Sequence, residues 1–335
     1  MKAKSISILV ALFSGLSMPL KAQQDSGFTN KHEATNLLKD SLKEGKWVEY
    51  IDQYNTPITD SNKAAYYCLT VYHAGVPDGI ARKYYKKGKL ENETPYTHGK
   101  IDGVEKWYYP TGKLWQESPY TNDKENGTEK RYDIKGKLKF ENPYVNGKID
   151  GVQKAYNDSG IVIHETEYKD SLKNGTDKEY YKNGKLKSEC PYTNGKENGV
   201  WKEYNEAGNL SMETPYTDGK KNGVDKWYYA NGKTWVETPY TNDTMKGIQN
   251  TYYQSGKILE ETPYKGNKMN GVQKKYSETG VLTTETPYTD GRKNGVVKEY
   301  YPNGHLHSTT TFVNSKEGAT KNYNEDGTEI IKAVK

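Results

Sequence analysis

The sequence has little of what a conventional globular enzyme uses to build a core and a reaction site. It contains four phenylalanines, two cysteines and six histidines in 335 residues. Beyond the N-terminus no apolar run is long enough to span a bilayer. The mean hydropathy of −1.06 argues against a thick hydrophobic core. Tyrosine is the exception, with 31 residues, so aromatic rings rather than aliphatic side chains are expected to supply most of the packing.

The N-terminus has the pattern of a bacterial secretory signal peptide. Lys2 and Lys4 precede an apolar stretch over residues 6–20. Small Ala22 follows and marks the predicted cleavage point. Without the three lysines of residues 1–22 the net charge of +5 falls to +2, which removes the main argument for nucleic-acid binding. We therefore predict an exported protein that is periplasmic, on the outer surface or secreted, with no nucleic-acid partner.

A repeat of 24 residues dominates the rest of the chain. Ten glycines follow one another at this interval without insertion or deletion. Tyrosine follows each of them after five residues, a second glycine after nine, and glutamate after fourteen in nine repeats of the ten. Such a polar composition is also found in disordered chains, but the fixed register predicts a folded repeat array. The ten first glycines are Gly79, Gly103, Gly127, Gly151, Gly175, Gly199, Gly223, Gly247, Gly271 and Gly295.

Each repeat has the pattern of two strands and two turns. After Gly223, residues 224–229 and 234–240 are rich in residues that favour strands. Residues 230–232 between them suit a three-residue hairpin loop that ends in glycine. Pairs such as Asn194-Gly195 suit the second turn. We predict an all-β fold, an elongated single-layer antiparallel β-meander of about twelve 24-residue hairpin repeats.

The three-residue loop also predicts which residues face each other and which share a face. It places Trp107 opposite Trp115 and Trp227 opposite Trp235. Alternation along the strands then gives two faces. The first face repeats with little change and is expected to hold neighbouring repeats together; the second varies and is where we expect recognition. In the repeat that begins at Gly103 the first face holds Val104, Lys106, Tyr108, Leu114 and Ser118, and the second holds Trp107, Tyr109, Trp115 and Glu117.

The two ends of the array diverge from the regular repeat. Gly45 and Tyr50 keep the glycine-to-tyrosine spacing, but 34 residues separate Gly45 from Gly79, which indicates an insertion of ten within residues 52–65. Divergent end repeats are typical caps of repeat arrays. The predicted domains are a signal peptide over 1–22, an N-terminal linker over 23–37, a capping repeat with the insertion over 38–78, ten regular repeats over 79–317 and a truncated C-terminal capping repeat over 318–335.

Segments such as residues 216–233, Tyr-Thr-Asp-Gly-Lys-Lys-Asn-Gly-Val-Asp-Lys-Trp-Tyr-Tyr-Ala-Asn-Gly-Lys, resemble MORN repeats. The match is to the bacterial MORN-repeat variant group labelled YwqK-family antitoxin, and it covers roughly residues 38–330 at both glycine turns and at the aromatic spacing. The resemblance implies a single-layer antiparallel sheet that mediates protein or membrane-surface contacts. It carries over no catalytic residues.

Several residue sets are candidates for sites of chemistry. The glutamate repeated nine times, from Glu93 to Glu285, is interpreted as structural because an active site needs one special copy. His305 and His307 share a strand face but have no third ligand near them in sequence, so a solvated strand edge is expected rather than a metal site. We predict that the protein is not an enzyme and has no catalytic, cofactor-binding or metal-binding residues.

Two further sets leave alternatives open. Cys68 and Cys190 are expected to be free thiols, because many strands of a linear array separate them. The repeated lysines, of which Lys106 is one, are expected to be solvated or packed on tyrosine; binding of acidic polymers or lipid headgroups is the alternative.

The exposed aromatic residues are the candidate ligand-binding site. Flat rings suit sugars, peptides or quaternary ammonium groups, although the same rings also shield a thin sheet from water. We predict a non-catalytic extracytoplasmic module for protein-protein interaction or scaffolding, with a protein partner. The alternatives are a cell-wall or glycan-binding repeat protein, contact with a membrane surface, and an antitoxin-like neutraliser of a partner toxin. The predicted ligand-binding stripe is Trp107, Trp115, Trp227, Trp235, Tyr109 and Tyr229.

Overall fold

The fold is built almost entirely from short antiparallel strands. The computed structural model describes residues 27–331, and the signal peptide predicted over 1–22 lies outside the described residues. The chain divides into two compact units, the first ending at Asn126 and the second beginning at Gly127. Among the described residues a single 3-10 turn, Lys31–Glu33, precedes the first strand. The predicted all-β antiparallel meander of hairpin repeats is confirmed within each unit.

The first unit contains the N-terminal repeat, its insertion and the first two regular repeats. Each long strand pairs with the long strands before and after it along the chain. Each two-residue strand folds back and pairs with the end of the long strand that precedes it. They are β1 (Leu37–Lys39), β2 (Leu42–Ile51), β3 (Pro57–Ile58), β4 (Tyr66–His73), β5 (Val76–Pro77), β6 (Gly79–Tyr85), β7 (Leu90–Thr97), β8 (Lys100–Ile101), β9 (Gly103–Tyr108), β10 (Leu114–Thr121) and β11 (Lys124–Glu125).

The second unit contains the other eight regular repeats and the C-terminal end of the array, paired in the same sequential way. Its strands are β12 (Gly127–Tyr132), β13 (Leu138–Val145), β14 (Lys148–Ile149), β15 (Gly151–Tyr156), β16 (Val162–Lys169), β17 (Leu172–Tyr180), β18 (Leu186–Thr193), β19 (Lys196–Glu197), β20 (Gly199–Tyr204), β21 (Leu210–Thr217), β22 (Lys220–Lys221), β23 (Gly223–Tyr228), β24 (Thr234–Thr241), β25 (Thr244–Tyr252), β26 (Ile258–Lys265), β27 (Lys268–Met269), β28 (Gly271–Tyr276), β29 (Leu282–Thr289), β30 (Arg292–Lys293), β31 (Gly295–Tyr300), β32 (Leu306–Val313) and β33 (Lys316–Asn322).

Both predicted turn types are present. In the first turn the Gly232 N–H donates to the Tyr229 carbonyl at 2.9 Å, and Gly232 has a φ of +80°. This is the three-residue loop with glycine in the left-handed position. In the second turn Asn194 and Gly195 have φ values of +50° and +81° between paired Thr193 and Lys196. Two positive φ values across two residues define a type I′ hairpin, whose twist matches that of the strands.

The predicted hairpin register is wrong by one residue beyond the first turn. Tyr108 faces Leu114 as expected, but Trp107 faces Gln116. The reason is a β-bulge, in which Trp115 is the extra residue between Leu114 and Gln116. A bulge sets two residues against one and shifts every later pair. Trp227 likewise faces Val236 rather than Trp235.

The bulge also corrects the predicted faces. Glu117 faces Lys106, and so lies on the face predicted for lysine and tyrosine rather than on the tryptophan face. Ser118 faces Glu105 and moves to the other face, where it is fully buried. The two predicted faces therefore exist, but the residues fourteen and fifteen after each first glycine exchange places.

A third, very short strand in most repeats explains why the first glycine recurs. In the repeat of Gly175, β19 folds back from the second turn and pairs with the end of β18. The next strand begins at Gly199, whose φ is +132°. A Cβ atom at Gly199 would lie 2.6 Å from Cγ of Pro191. Both the backbone angle and the close approach of this proline require glycine at the start of the repeat.

A cluster of buried apolar residues lies in the first unit. Phe28 and Leu69 have no exposed surface, and they pack with Tyr84, which is 9% exposed. Phe28 lies in the segment predicted as the linker over 23–37, and its carbonyl accepts a hydrogen bond from Arg82 Nη1 at 3.3 Å. The start of the described chain thus packs onto the first repeats.

Candidate functional site

One face of the second unit is occupied by bonds between neighbouring repeats. Glu285 faces Lys274 on one side and Lys298 on the other. Its carboxylate accepts a hydrogen bond from Tyr300 Oη of the following repeat at 2.8 Å and lies 3.3 Å from Lys298 Nζ. We call this surface the ladder face and define it by the residues one, three, five, eleven and fourteen after each first glycine; in the repeat of Gly199 they are Val200, Lys202, Tyr204, Leu210 and Glu213.

The tyrosine-to-glutamate bond recurs throughout the second unit. Its length is between 2.6 and 3.0 Å in every repeat named below. Burial, and then the hydrogen bond to glutamate, raise the pKa of Tyr204 and of Tyr300 to about 12. The repeated glutamates thus act as acceptors between repeats. The pairs are Tyr156–Glu141, Tyr180–Glu165, Tyr204–Glu189, Tyr228–Glu213, Tyr252–Glu237, Tyr276–Glu261 and Tyr300–Glu285.

The opposite surface, the variable face, is defined by the residues two, four, thirteen, fifteen and seventeen after each first glycine. In the repeat of Gly199 these are Trp201, Glu203, Met212, Thr214 and Tyr216. Here a buried threonine of one repeat usually bonds to a polar residue of the next. Thr166 Oγ1 donates to Asp177 at 2.5 Å, and Gln249 Nε2 donates to Thr238 Oγ1 at 2.9 Å.

This hydrogen bond is absent where Cys190 takes the position of the threonine and Trp201 takes the position of its polar partner in the next repeat. A thiol and an indole cannot reproduce the hydrogen bond between hydroxyl and carboxylate or amide. Strand β18 presents small Ser188 and Cys190 to the surface, between the larger side chains of β17 and β20. The result is a groove of about 260 Å³. It is lined by Asp177, Glu179, Lys187, Ser188, Cys190, Tyr192, Glu197, Trp201, Glu203 and Tyr216.

The groove combines aromatic rings with carboxylates. The rings of Trp201 and Tyr216 lie 6.4 Å apart, tilted by 51°. Burial, and then the charge of Glu197, raise the pKa of the Cys190 thiol to about 11. A thiol with this pKa is protonated at neutral pH, and only the thiolate is a strong nucleophile. The Cys190 thiol is therefore not an activated nucleophile.

The predicted aromatic stripe is only partly assembled within the second unit. Trp235 packs against Tyr229 with ring centroids 6.0 Å apart. Tyr229 Oη donates to the Tyr252 carbonyl at 2.7 Å, so this tyrosine connects two repeats. Trp227 lies on the variable face and donates from Nε1 to Asp225 at 2.9 Å. It faces Met212, and Met212 in turn faces Glu203 of the groove on its other side. Trp227 and Trp235 are 43% and 44% exposed.

The three predicted residues of the first unit follow the same pattern. Trp115, at the bulge, is 40% exposed and lies 6.4 Å from Tyr109 between ring centroids. Trp107 faces Gln116 on the variable face. The structure therefore pairs each bulge tryptophan with a tyrosine of its own turn, and not with the tryptophan predicted to face it.

The other sequence candidates are engaged elsewhere. His305 Nδ1 lies 2.6 Å from the Glu325 carbonyl, and His307 lies 3.8 Å from the Glu299 carboxylate. Cys68 and Cys190 are both free. Over residues 27–331 no group of three or more histidine, cysteine, aspartate or glutamate side chains is arranged to hold a metal ion. No helix in that same range is long and apolar enough to cross a membrane.

The insertion borders a recess of about 770 Å³ against β2, lined in part by Asp52, Asp60 and Lys63. Asp52 Oδ1 accepts the backbone N–H groups of Tyr54 and Thr56 at 2.8 and 2.9 Å. The Asp52 carboxylate thus closes its own turn.

Sequence reasoning missed the groove around Trp201. The sequence does contain a signal for it: two residues that differ from the repeat consensus lie eleven residues apart and come together on paired strands. Cys190 replaces the usual threonine, and Trp201 stands where Gln153, Gln249 and Gln273 stand in other repeats. Only the true register shows that these departures adjoin each other.

Repeated antiparallel hairpins, with one face bonded between repeats and another whose side chains change from repeat to repeat, define a β-repeat protein, a class that typically serves binding or scaffolding. The family model described as "MORN repeat variant" matches nine segments that together make up more than half of the sequence. The chain belongs to the MORN repeat variant family. The matched residues are 77–98, 101–122, 149–170, 173–194, 197–218, 221–242, 245–265, 269–290 and 293–314.

None of the curated proteins matches the chain. Among solved structures the chain is similar, at 12% identity, to a TcdB2-TccC3-Cdc42 crystal structure, with 83% of this chain and 19% of that chain covered and a TM-score of 0.18. It is also similar to the Photorhabdus luminescens Tc holotoxin pore, at 12% identity, with 84% and 18% covered and a TM-score of 0.15. The chain spans about a fifth of the length of these structures.

Proposed function

We propose that this protein is an exported, non-catalytic binding module that holds a protein partner on its variable face. The observation that carries the proposal is the contrast between the two faces. Tyrosine, glutamate and lysine of the ladder face bond to one another between repeats. The groove of the variable face instead leaves aromatic rings and carboxylates open to a partner.

Export rests on the leader over residues 1–22, with its basic start, apolar centre and small residue at the end. The absence of catalysis is supported by the use of the repeated glutamates as acceptors of tyrosine hydroxyls. Neutralisation of a toxin, as in the YwqK-family antitoxins that the repeats resemble, is one form of the proposed protein binding.

Affinity capture from envelope extracts at physiological ionic strength tests the proposal. The wild-type protein is expected to retain a partner. The double variant Trp201→Gln, Glu203→Thr is expected to lose it, whereas the control Tyr54→Phe, at a side chain that is 78% exposed in the first unit, retains it. Retention of no protein by the wild type would contradict the proposal.

A glycan ligand is the second candidate, favoured by the 40 to 44% exposure of Trp115, Trp227 and Trp235. Flat aromatic rings are common sugar-stacking surfaces. Sedimentation with purified sacculi tests this candidate: it requires that the wild type co-sediments and that the variants Trp227→Ala and Trp235→Ala do not.

A further inference from the structure

The groove of the second unit has the size of a single side chain. Its volume is about 260 Å³, just below the ~300–1,000 Å³ of pockets that take whole small molecules. Ser188 forms part of its floor, at a repeat position where the neighbouring repeat has the buried Met212. A side chain projecting from a partner segment is therefore a better match to this groove than a cofactor.

The charges around the groove are unbalanced. Asp177 lies 2.8 Å from Lys173 Nζ, and Glu179 lies 2.9 Å from Lys187 Nζ. Glu197 accepts a hydrogen bond from Tyr192 Oη at 3.2 Å. Within the part of the chain that the structure describes, Glu197 and Glu203 form no ion pair. Lys187 acts on Glu203 only at longer range, because its ammonium is paired with Glu179. The two carboxylates on the β19 and β20 side thus have no cation in direct contact.

The aromatic rings lie on the same side as these two carboxylates. Trp201 belongs to β20 and precedes Glu203 by two residues, so the two side chains share the variable face. Tyr216 tilts against Trp201 from the next strand. At the Asp177 side of the same groove the protein already holds a cation over a ring, since Lys173 Nζ lies 4.7 Å from the centroid of the lining Tyr192 ring. Indole is the strongest of the aromatic partners for a cation.

From this combination we infer that the groove binds an arginine side chain of a partner protein, stacked on Trp201 and paired with Glu197 and Glu203. A planar guanidinium stacks on an aromatic face and donates up to five hydrogen bonds to carboxylates. The inference rests on the proposed function and adds the chemistry of the partner. Burial, and then the charge of Glu197, raise the pKa of Tyr216, as a negative potential in the groove requires.

Titration with two matched peptides tests this inference. The probes are Ac-Gly-Gly-Arg-Gly-Gly-amide and the same peptide with citrulline, which keeps the shape of arginine but has no charge. The readout is the indole N–H resonance of Trp201 in the full-length protein, assigned as the signal that is missing in Trp201→Gln. The arginine peptide is expected to shift this resonance and to bind about tenfold or more tightly than the citrulline peptide.

Variants that copy the residue at the equivalent position of another repeat are compatible with the fold. Ser188→Met places in the groove the residue found at Met212, and is expected to abolish the shift. Thr284→Met makes the same change at the equivalent position of a distant repeat and is expected to leave the shift unchanged. Glu203→Thr, which copies Thr251, is expected to weaken binding about tenfold.

Equal shifts by the arginine and citrulline peptides, or an arginine shift that survives Ser188→Met, would overturn the inference. So would the absence of any Trp201 shift with the arginine peptide. These results leave the proposed function standing if envelope capture still retains a protein partner. Failure of capture together with arginine-dependent binding would instead remove the protein-partner proposal and keep the guanidinium site.

Discussion

Glu285 and Glu203 are two glutamates in the same unit with opposite surroundings. On the ladder face, Glu285 accepts the Tyr300 hydroxyl and pairs with Lys298. On the variable face, Glu203 lines the groove beside Trp201. In this repeat, therefore, the role of a glutamate depends on its register position. The polar network of the ladder face substitutes for the thick core that the composition excludes.

The largest expected effect is alkaline unfolding of the ladder. Burial and the glutamate hydrogen bonds raise the pKa of Tyr156, Tyr180 and Tyr276 to about 12. An unfolded tyrosine titrates near pH 10, so the stabilisation is complete below about pH 10 and is lost as the pH rises toward about 12. Circular dichroism is expected to show a steep fall of the thermal midpoint across this range. A midpoint that does not change there would contradict the ladder.

Next in size is the loss of one ladder acceptor. Glu285→Ala leaves the half-buried hydroxyl of Tyr300 without its acceptor and Lys298 without its counter-ion, and is expected to cost about 1–3 kcal/mol of unfolding free energy. Denaturant unfolding measures this cost. A loss no larger than that of Glu203→Ala would remove the distinction between the two faces.

A smaller effect is expected when only the ladder hydroxyl is removed. Tyr228→Phe keeps the ring but deletes the 2.7 Å hydrogen bond to Glu213, at an expected cost of about 1 kcal/mol. Tyr54→Phe is the control, because Tyr54 is 78% exposed, and it should leave the thermal midpoint unchanged. Equal shifts in the two variants would mean that the hydroxyl of Tyr228 has no special role.

The smallest effect on stability is expected in the groove. Trp201→Gln restores the residue found at this position in Gln153, Gln249 and Gln273, so the unfolding free energy should change by no more than about 0.5 kcal/mol. Denaturant unfolding checks the value. A loss of about 2 kcal/mol or more would show that Trp201 belongs to the packing of the array and not to an open site.

Much of the fold follows from spacing alone. The period of 24, the three-residue loop and the Asn-Gly turn all concern neighbours in sequence, and turn chemistry is local. The bulge at Trp115 is different, because it inserts a residue without changing the repeat length. Opposite charges did indicate a real proximity: Lys83 lies 3.0 Å from Glu91, although Lys83 faces Asn92. Charge pairing in the sequence could not distinguish the residue that faces Lys83, Asn92, from the bulge residue beside it, Glu91.

The groove could not be predicted for the same reason, because its position depends on the bulge residue that the predicted register omits. With the register shifted by one, Ser188 would not face Glu179 and Glu203, and the depression between them is not visible in the sequence. The exposed tryptophans were recognisable from composition. Their pairing with tyrosines of the first turn, as in Trp235 and Tyr229, depends on how the bulge directs the side chain. Side-chain direction at an irregular position is set by tertiary geometry rather than by alternation.

The division between the two faces is tested most directly by measuring stability and arginine-peptide binding on Glu285→Ala and Glu203→Ala. The expected result is a crossed one. Glu285→Ala lowers the thermal midpoint and, below its unfolding transition, binds the arginine peptide as the wild type does. Glu203→Ala keeps the thermal midpoint and weakens the binding about tenfold. If both variants lower the midpoint equally, or if Glu203→Ala binds the peptide normally, the two faces do not divide stability and recognition between them.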